Sequence, residues 1–142
     1  MNYNSVLVPV DFSDESSAAV DLAIEMVDEP TNLFVVHVLP ELSASEPGVI
    51  WETVDAHGRK RHALEALEDR FSDPKYQGIH LEALIGDAGA CIAEHAQHVD
   101  ADLIVMPSHG RRGIKRLLLG SVAERVLRLS DRNVLVLKQR AT

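Results

Sequence analysis

The sequence predicts an α/β fold with a doubly wound, five-stranded parallel sheet and helices on both faces. Near-continuous runs of Val, Leu and Ile are typical of strands that are covered on both faces, as they are in a parallel sheet. Segments with helical periodicity lie between these runs, so strands and helices alternate along the chain. Strict alternation with right-handed crossovers places helices on both sides of a parallel sheet.

The predicted strands are short apolar runs. They are SVLVPV at residues 5–10, LFVVHVL at 33–39, IHLEALI at 79–85, LIVM at 103–106, and VLVLK from Val134 to Lys138. The third run alternates polar and apolar residues more than the others do.

Helical periodicity predicts a helix in each gap between strands. The first covers residues 14–27, with Ser13 as its N-cap and two acidic residues in its first turn. The others cover 51–71, 88–99 and 121–129. In such sheets ligands bind beyond the carboxyl ends of the strands, which here means Asp11 to Ser13 and the loop after the fourth strand.

Length and composition restrict the possible functions. The chain has 142 residues, 46% of them apolar, which predicts one domain with a buried core. Its formal charge of −8 argues against nucleic acid or an anionic membrane as a partner. A single cysteine, Cys91, excludes a disulfide framework, and the N-terminal segment lacks a basic region and a long apolar run. We therefore expect a cytoplasmic protein.

The most informative segment is SHGRRGIKRLLLGS, residues 108–121, which joins the fourth strand to the last helix. Glycine backbone, a serine hydroxyl and a helix N-terminus together suit a phosphate group, and four basic side chains lie in the same segment. The spacing fits neither the Walker P-loop nor the dinucleotide fingerprint. A flexible connection with a helix-capping Gly-Ser pair remains the alternative.

Several motifs together resemble the universal stress protein family over essentially the whole chain. They are VPVDFSDES at the start, VVHVL, IGDAGACI, and SHGRRGIKRLLLGSVAERVL running into VLVLK. The resemblance implies a single domain over residues 1–142 with a Rossmann-like, adenine nucleotide alpha hydrolase-like fold. ATP-binding members carry the signature GxxG, nine residues, then G[ST]. This chain has Pro107 in place of the first glycine, and Gly110, Gly120 and Ser121 match.

The resemblance also implies roles for residues on the nucleoside side of an ATP site. Asp11 would hydrogen-bond the ribose, although the residues alone are equally consistent with a helix cap. Pro9 and Val10 would line the adenine, and Val38 would meet its edge through the backbone. From the residues alone, these three are more simply core positions. Met106 would lie beside the sugar.

On the phosphate side, the resemblance implies close approach of the backbone at Gly110. Gly120, Ser121 and Val122 would offer N–H groups and a hydroxyl at the start of a helix. Arg111 would add positive charge near the phosphates, or it is an ordinary solvated loop residue. Any Mg²⁺ would be held mainly by the phosphates of ATP.

Pro107 has two possible consequences for such a site. If the family's glycine only donates an N–H to a ribose oxygen, its loss costs about 0.5 to 1.5 kcal/mol, or up to roughly tenfold in affinity. If the glycine requires a positive φ, proline forces the loop onto another path. The sequence leaves both possibilities open.

Three functional hypotheses follow from the sequence and the resemblance. The leading one is a homodimeric, ATP-binding stress-response regulatory protein that pairs through its last strand, with a protein client that the sequence does not identify. The second is the same fold acting as a dimeric interaction protein without nucleotide. The third is a slow ATPase. No catalytic residue is identifiable, and a metal site is not expected because His95 and His98 lack a third ligand.

Overall fold

The computed structural model describes residues 3–42, 52–108 and 119–138, and within these ranges every side chain except those of residues 52–55. Strands and helices alternate along the chain, as the apolar runs and the periodic segments predict. They are β1 (Val6–Pro9), α1 (Asp14–Ile24), β2 (Leu33–Leu39), α2 (Glu52–Arg70), β3 (His80–Ile85), α3 (Ala88–His98), β4 (Leu103–Pro107), α4 (Ser121–Leu129) and β5 (Asn133–Leu137).

The five strands form one parallel sheet in the order β3-β2-β1-β4-β5. The chain winds from β1 out to β3 and then returns across the sheet to β4, so the direction of winding reverses between β1 and β4. The pairing of β1 with β4 ends at Leu7 and Ile104, whereas β4 stays paired with β5 as far as Pro107 and Leu137. The two central strands therefore separate at their carboxyl ends, which is where open α/β sheets bind ligands.

Helices cover both faces of the sheet and divide the core into two clusters. On one face, Val20 of α1 and Leu67 of α2 pack with strand residues such as Val8. On the other, Ile92 of α3 and Val126 of α4 pack with strand residues such as Leu7. Leu7 and Val8 enter different clusters because successive side chains of a strand point to opposite faces. The N-termini of α3 and α4 thus lie on the same side of the sheet.

The predicted fold class and order of elements are confirmed, and some boundaries differ. The first helix ends at Ile24 rather than at residue 27, because the chain turns there and the Tyr3 N–H donates to the Met26 carbonyl at 2.8 Å. The last strand covers Asn133–Leu137, so the prediction from Val134 to Lys138 is one residue too far along the chain. None of the described helices has the length and apolar character needed to cross a membrane.

Candidate functional site

A cavity of about 360 Å³ lies where β1 and β4 separate. Six elements or their ends supply its walls: the carboxyl ends of the three neighbouring strands β1, β2 and β4, and the N-terminal turns of α1, α3 and α4. The lining is largely apolar, with a few polar groups near the strand ends. Its residues are Pro9, Val10, Asp11, Ser16, His37, Val38, Ala88, Ile92, Met106, Pro107, Ser108, Gly120, Ser121, Val122 and Ala123.

Hydrogen bonds within the turn between β1 and α1 hold Asp11 at the edge of the cavity. One carboxylate oxygen of Asp11 accepts the Ser13 N–H at 3.0 Å, and the Asp11 N–H donates to the Ser16 hydroxyl at 3.3 Å. The Ser13 hydroxyl in turn accepts the Ser16 N–H at 3.1 Å, which confirms Ser13 as the N-cap of α1. The carboxylate is therefore tied to the start of the helix while it lines the cavity.

His37 forms the part of the wall next to this turn, and Phe12 contacts the His37 ring. Phe12 has a φ of 66°, a left-handed conformation that is uncommon for a bulky residue. Its ring meets the His37 ring edge-on, with the centroids 4.8 Å apart. Nδ1 of His37 lies 2.7 Å from the Val10 carbonyl oxygen, which can only accept, so Nδ1 carries the proton. In neutral His37, Nε2 is then an acceptor.

On the opposite wall, β4 ends in Pro107 without losing a hydrogen bond of the sheet. The Ser108 N–H donates to the Leu137 carbonyl of β5 at 2.8 Å. Because successive N–H groups of a strand point to opposite sides, the nitrogen of residue 107 faces β1, where pairing has already ended. Pro107 has extended backbone as a residue of β4, so its fixed φ is compatible with its position.

The N-terminus of α4 forms the end of the cavity next to β4. Gly120 is the N-cap and makes no side-chain capping bond. Its own N–H donates to the Ser108 carbonyl at 2.6 Å, so one of the predicted phosphate donors is already used. The next N–H groups, those of Ser121 and Val122, have no partner within the helix because they belong to its first turn. They offer positive partial charge to the cavity.

The N-terminus of α3 borders the cavity from the same face of the sheet. Asp87 caps this helix by accepting the Ala90 N–H at 2.9 Å, and it pairs with Nε of Arg125 on α4 at 2.7 Å. These two interactions, that with Arg125 first, hold the pKa of Asp87 below its ordinary value. Asp87 is therefore a fixed negative charge that links the two helices beside the cavity.

The cavity brings together most of the residues predicted from the sequence. Pro9, Val10, Asp11, Val38, Met106, Gly120, Ser121 and Val122 all line it. Gly110 and Arg111 lie outside the described residues. Pro107 and Ser108, at the start of the predicted glycine-rich loop, line the cavity as well. The sequence reasoning missed five lining residues: Ser16, His37, Ala88, Ile92 and Ala123.

Two of the missed residues carry a signal that could have been used. Ala88 and Ile92 are four residues apart at the start of α3, and that spacing puts them on one face of the helix.

Within the described ranges, no cluster of three or more His, Cys, Asp or Glu side chains could hold a metal ion. His95 and His98 lie with their rings 5.8 Å apart, and His95 approaches Glu82 at 3.4 Å.

Comparisons with known proteins give a consistent result. Residues 2–138 match the model of the universal stress protein family. Universal stress protein MJ0531 of Methanocaldococcus jannaschii is 36% identical over 143 residues, covering 96% of this chain and 83% of the relative. The structure of protein MJ0577, from the same organism, matches with a TM-score of 0.78 and 25% identity over 100% of both chains. A universal stress protein solved in complex with cAMP matches with a TM-score of 0.63 and 25% identity, covering 99% of this chain and 100% of that one.

Proposed function

The chain belongs to the universal stress protein family, and we propose that it binds an adenine nucleotide, ATP in the first place, in the cavity between β1, β4 and the N-terminus of α4. The single observation that carries the proposal is the composition of this cavity. Apolar walls, one carboxylate and the first turn of a helix meet within about 360 Å³. Ligand pockets are typically about 300 to 1,000 Å³, mainly apolar, with a few placed polar groups.

Each part of a nucleotide finds suitable chemistry in this cavity. The walls formed by Val10, Val38 and Ile92 suit a flat, largely apolar base. Asp11 can accept hydrogen bonds from paired ribose hydroxyls while it keeps its bond to Ser13. The first turn of α4 suits the phosphates, because unbonded N–H groups and the helix dipole both favour negative charge. The relative solved with cAMP supports adenine nucleotides as the ligand class.

Two features predict that binding is weaker than a full set of donors would allow. Pro107 has no N–H, and the Gly120 N–H is bonded to Ser108. Each missing neutral donor costs about 0.5 to 1.5 kcal/mol. Asp11 is also the only carboxylate among the described residues that line the cavity, so Mg²⁺ would be held mainly by the phosphates. These features favour a second candidate, in which the same fold acts as an interaction protein without nucleotide.

A homodimer through β5 is part of the proposal. This strand lies at the edge of the sheet, and its residues from Val134 to Leu137 are only half-buried. An edge strand offers unpaired backbone groups to a second copy of the chain, and pairing would cover them. Light scattering at working concentration tests this directly. A monomeric mass would count against the dimer without affecting the proposal on nucleotide binding.

Calorimetric titration with ATP and Mg²⁺, together with mass spectrometry of an acid extract of the purified protein, tests nucleotide binding. We expect saturable binding below millimolar ATP. The absence of both saturable binding and bound nucleotide would favour the interaction protein. Phosphate release from bound ATP would be needed to support the ATPase hypothesis, and we expect none beyond a slow background.

Asp11→Asn separates the ligand role of Asp11 from its role in the turn. The amide oxygen of asparagine can still accept the Ser13 N–H, so the turn is kept while the charge is removed. Loss of a charge-assisted bond to ribose weakens binding by about tenfold or more. Asp14→Asn is the matched control, because Asp14 is a fully exposed acid in the first turn of α1, three residues after Asp11. Equal affinities for the two variants would remove Asp11 from the site.

A further inference from the structure

The helices α3 and α4 are in close contact at Gly89. A methyl group on Gly89 would lie 2.6 Å from Cγ of Arg125 and 2.9 Å from its Cδ, so the Arg125 side chain occupies the space that a Cβ would need. The absence of a side chain at Gly89 therefore allows Arg125 to pack across the first turn of α3.

A hydrogen bond also holds the guanidinium end of the Arg125 side chain. Nε donates to Oδ2 of Asp87 at 2.7 Å, and the same carboxylate oxygen accepts the Ala90 N–H in the first turn of α3. Arg125 thus crosses Gly89 and ends on the cap of α3. We call the three residues Asp87, Gly89 and Arg125 the helix latch.

The inner side of the same contact borders the cavity. Ala88 of α3, and Ser121 and Val122 of α4, line it. Arg125 lies four residues after Ser121, one turn along the same face of α4. The helix latch therefore holds the first turn of α4, whose residues Ser121 and Val122 line the proposed phosphate end of the cavity.

We propose that Arg125 is a positioning residue of the cavity, and that the helix latch fixes the first turn of α4 where its N–H groups meet the phosphates of a bound nucleotide. The inference rests on the proposed function and deepens it, because it assigns phosphate recognition to a side chain outside the cavity. The carboxylate and guanidinium are about half exposed, and pairs of this kind change an equilibrium by about two- to fivefold.

Three variants test the helix latch. Arg125→Gln removes the charge, Asp87→Asn removes its partner and keeps a good helix cap, and Gly89→Ala displaces the Arg125 side chain without changing any charge. Arg128→Gln is the matched control, because Arg128 pairs with Glu124 on the exposed side of the same helix. This variant removes one positive charge from α4, as Arg125→Gln does, at a position three residues further along the helix.

The readout is the affinity for Mg²⁺-ATP and for adenosine, measured by calorimetry on the full chain. We expect each of the three variants to weaken ATP binding by about two- to fivefold, with adenosine and the Arg128→Gln control changed by much less. The double variant of Asp87 and Arg125 should lose no more than either single one, because both remove the same interaction.

The outcomes distinguish the two proposals. If the unaltered chain binds neither ATP nor adenosine, the proposed function fails and the inference fails with it. If it binds ATP and the three variants bind it equally well, the inference alone is overturned. Equal loss for ATP and adenosine would also overturn it, because general loosening of the fold weakens both ligands and misplacement of the α4 turn weakens the phosphorylated one.

Discussion

Replacing Pro107 should tighten nucleotide binding without disturbing the sheet. The residue lines the cavity and ends β4, yet the hydrogen bond to β5 comes from Ser108, whose N–H meets the Leu137 carbonyl at 2.8 Å. The nitrogen of residue 107 faces the other way, towards the gap between β1 and β4. A residue with an N–H at this position would add one donor to the cavity and none to the sheet.

The expected gain follows from one added hydrogen bond. A neutral hydrogen bond contributes about 0.5 to 1.5 kcal/mol, so Pro107→Gly and Pro107→Ala should each tighten ATP binding by up to about tenfold. Both variants should also unfold more easily, because proline restricts the unfolded chain. The loss is about 0.4 to 1 kcal/mol for alanine and somewhat more for glycine.

Calorimetric titration of the three proteins with Mg²⁺-ATP measures the first effect, and urea unfolding without nucleotide measures the second. Equal gains for glycine and alanine would assign the effect to the N–H, whereas a gain for glycine alone would assign it to backbone freedom. Unchanged affinity in both variants would refute the reasoning, since it would mean that the nitrogen of residue 107 does not face the ligand.

Three further predictions concern stability. Burial, opposed in part by the Glu82 carboxylate, lowers the pKa of His95. The contribution of neutral His95 to the free energy of unfolding is therefore complete above the unfolded pKa of about 6.5, and it is lost as pH falls through the pKa of the folded state. In His95→Gln, urea unfolding between pH 7 and 5 should depend less on pH, by at most about 1.4 kcal/mol per pH unit, and an unchanged slope would contradict this. Ser13→Ala should lower the free energy of unfolding by about 1 kcal/mol, whereas Ser13→Thr, which keeps the capping hydroxyl, should not. Gly86→Ala should destabilise by about 1 to 3 kcal/mol in thermal or urea unfolding, because Gly86 has a φ of 152° and a Cβ there would lie 2.7 Å from Sγ of Cys91; wild-type stability would refute the strain.

The fold could be predicted because near-continuous apolar runs indicate its strands and helical periodicity indicates its helices. Even β3, whose run alternates most, forms a full strand, since all six of its residues pair with β2. The end of α1 could not be predicted in the same way. Val27 continues the apolar period and is buried, yet it pairs with Tyr3 in an isolated bridge instead of extending the helix. Periodicity reports burial, and here burial comes from a different backbone conformation.

The lining of the cavity could be predicted only for residues that lie next to the end of a strand or the start of a helix. Asp11 and Ser121 follow strands or begin helices at the predicted binding edge, so position along the chain was sufficient. Ala88 and His37 required knowledge of the strand order, because β2 and α3 reach the cavity only when β1 lies between β2 and β4. The hydrogen bond from the Gly120 N–H to the Ser108 carbonyl could not be predicted either, because it depends on how close the end of β4 lies to the start of α4.

The bond between the Ser108 carbonyl and the Gly120 N–H ties the end of β4 directly to the start of α4. The two ends of the proposed nucleotide site therefore share one mechanical frame, because the sheet that carries the apolar walls also anchors the helix N-terminus at the proposed phosphate end. A perturbation that separates α4 from β4 would change the span between these two ends, so it would affect ligands that reach both of them more than ligands that occupy only one.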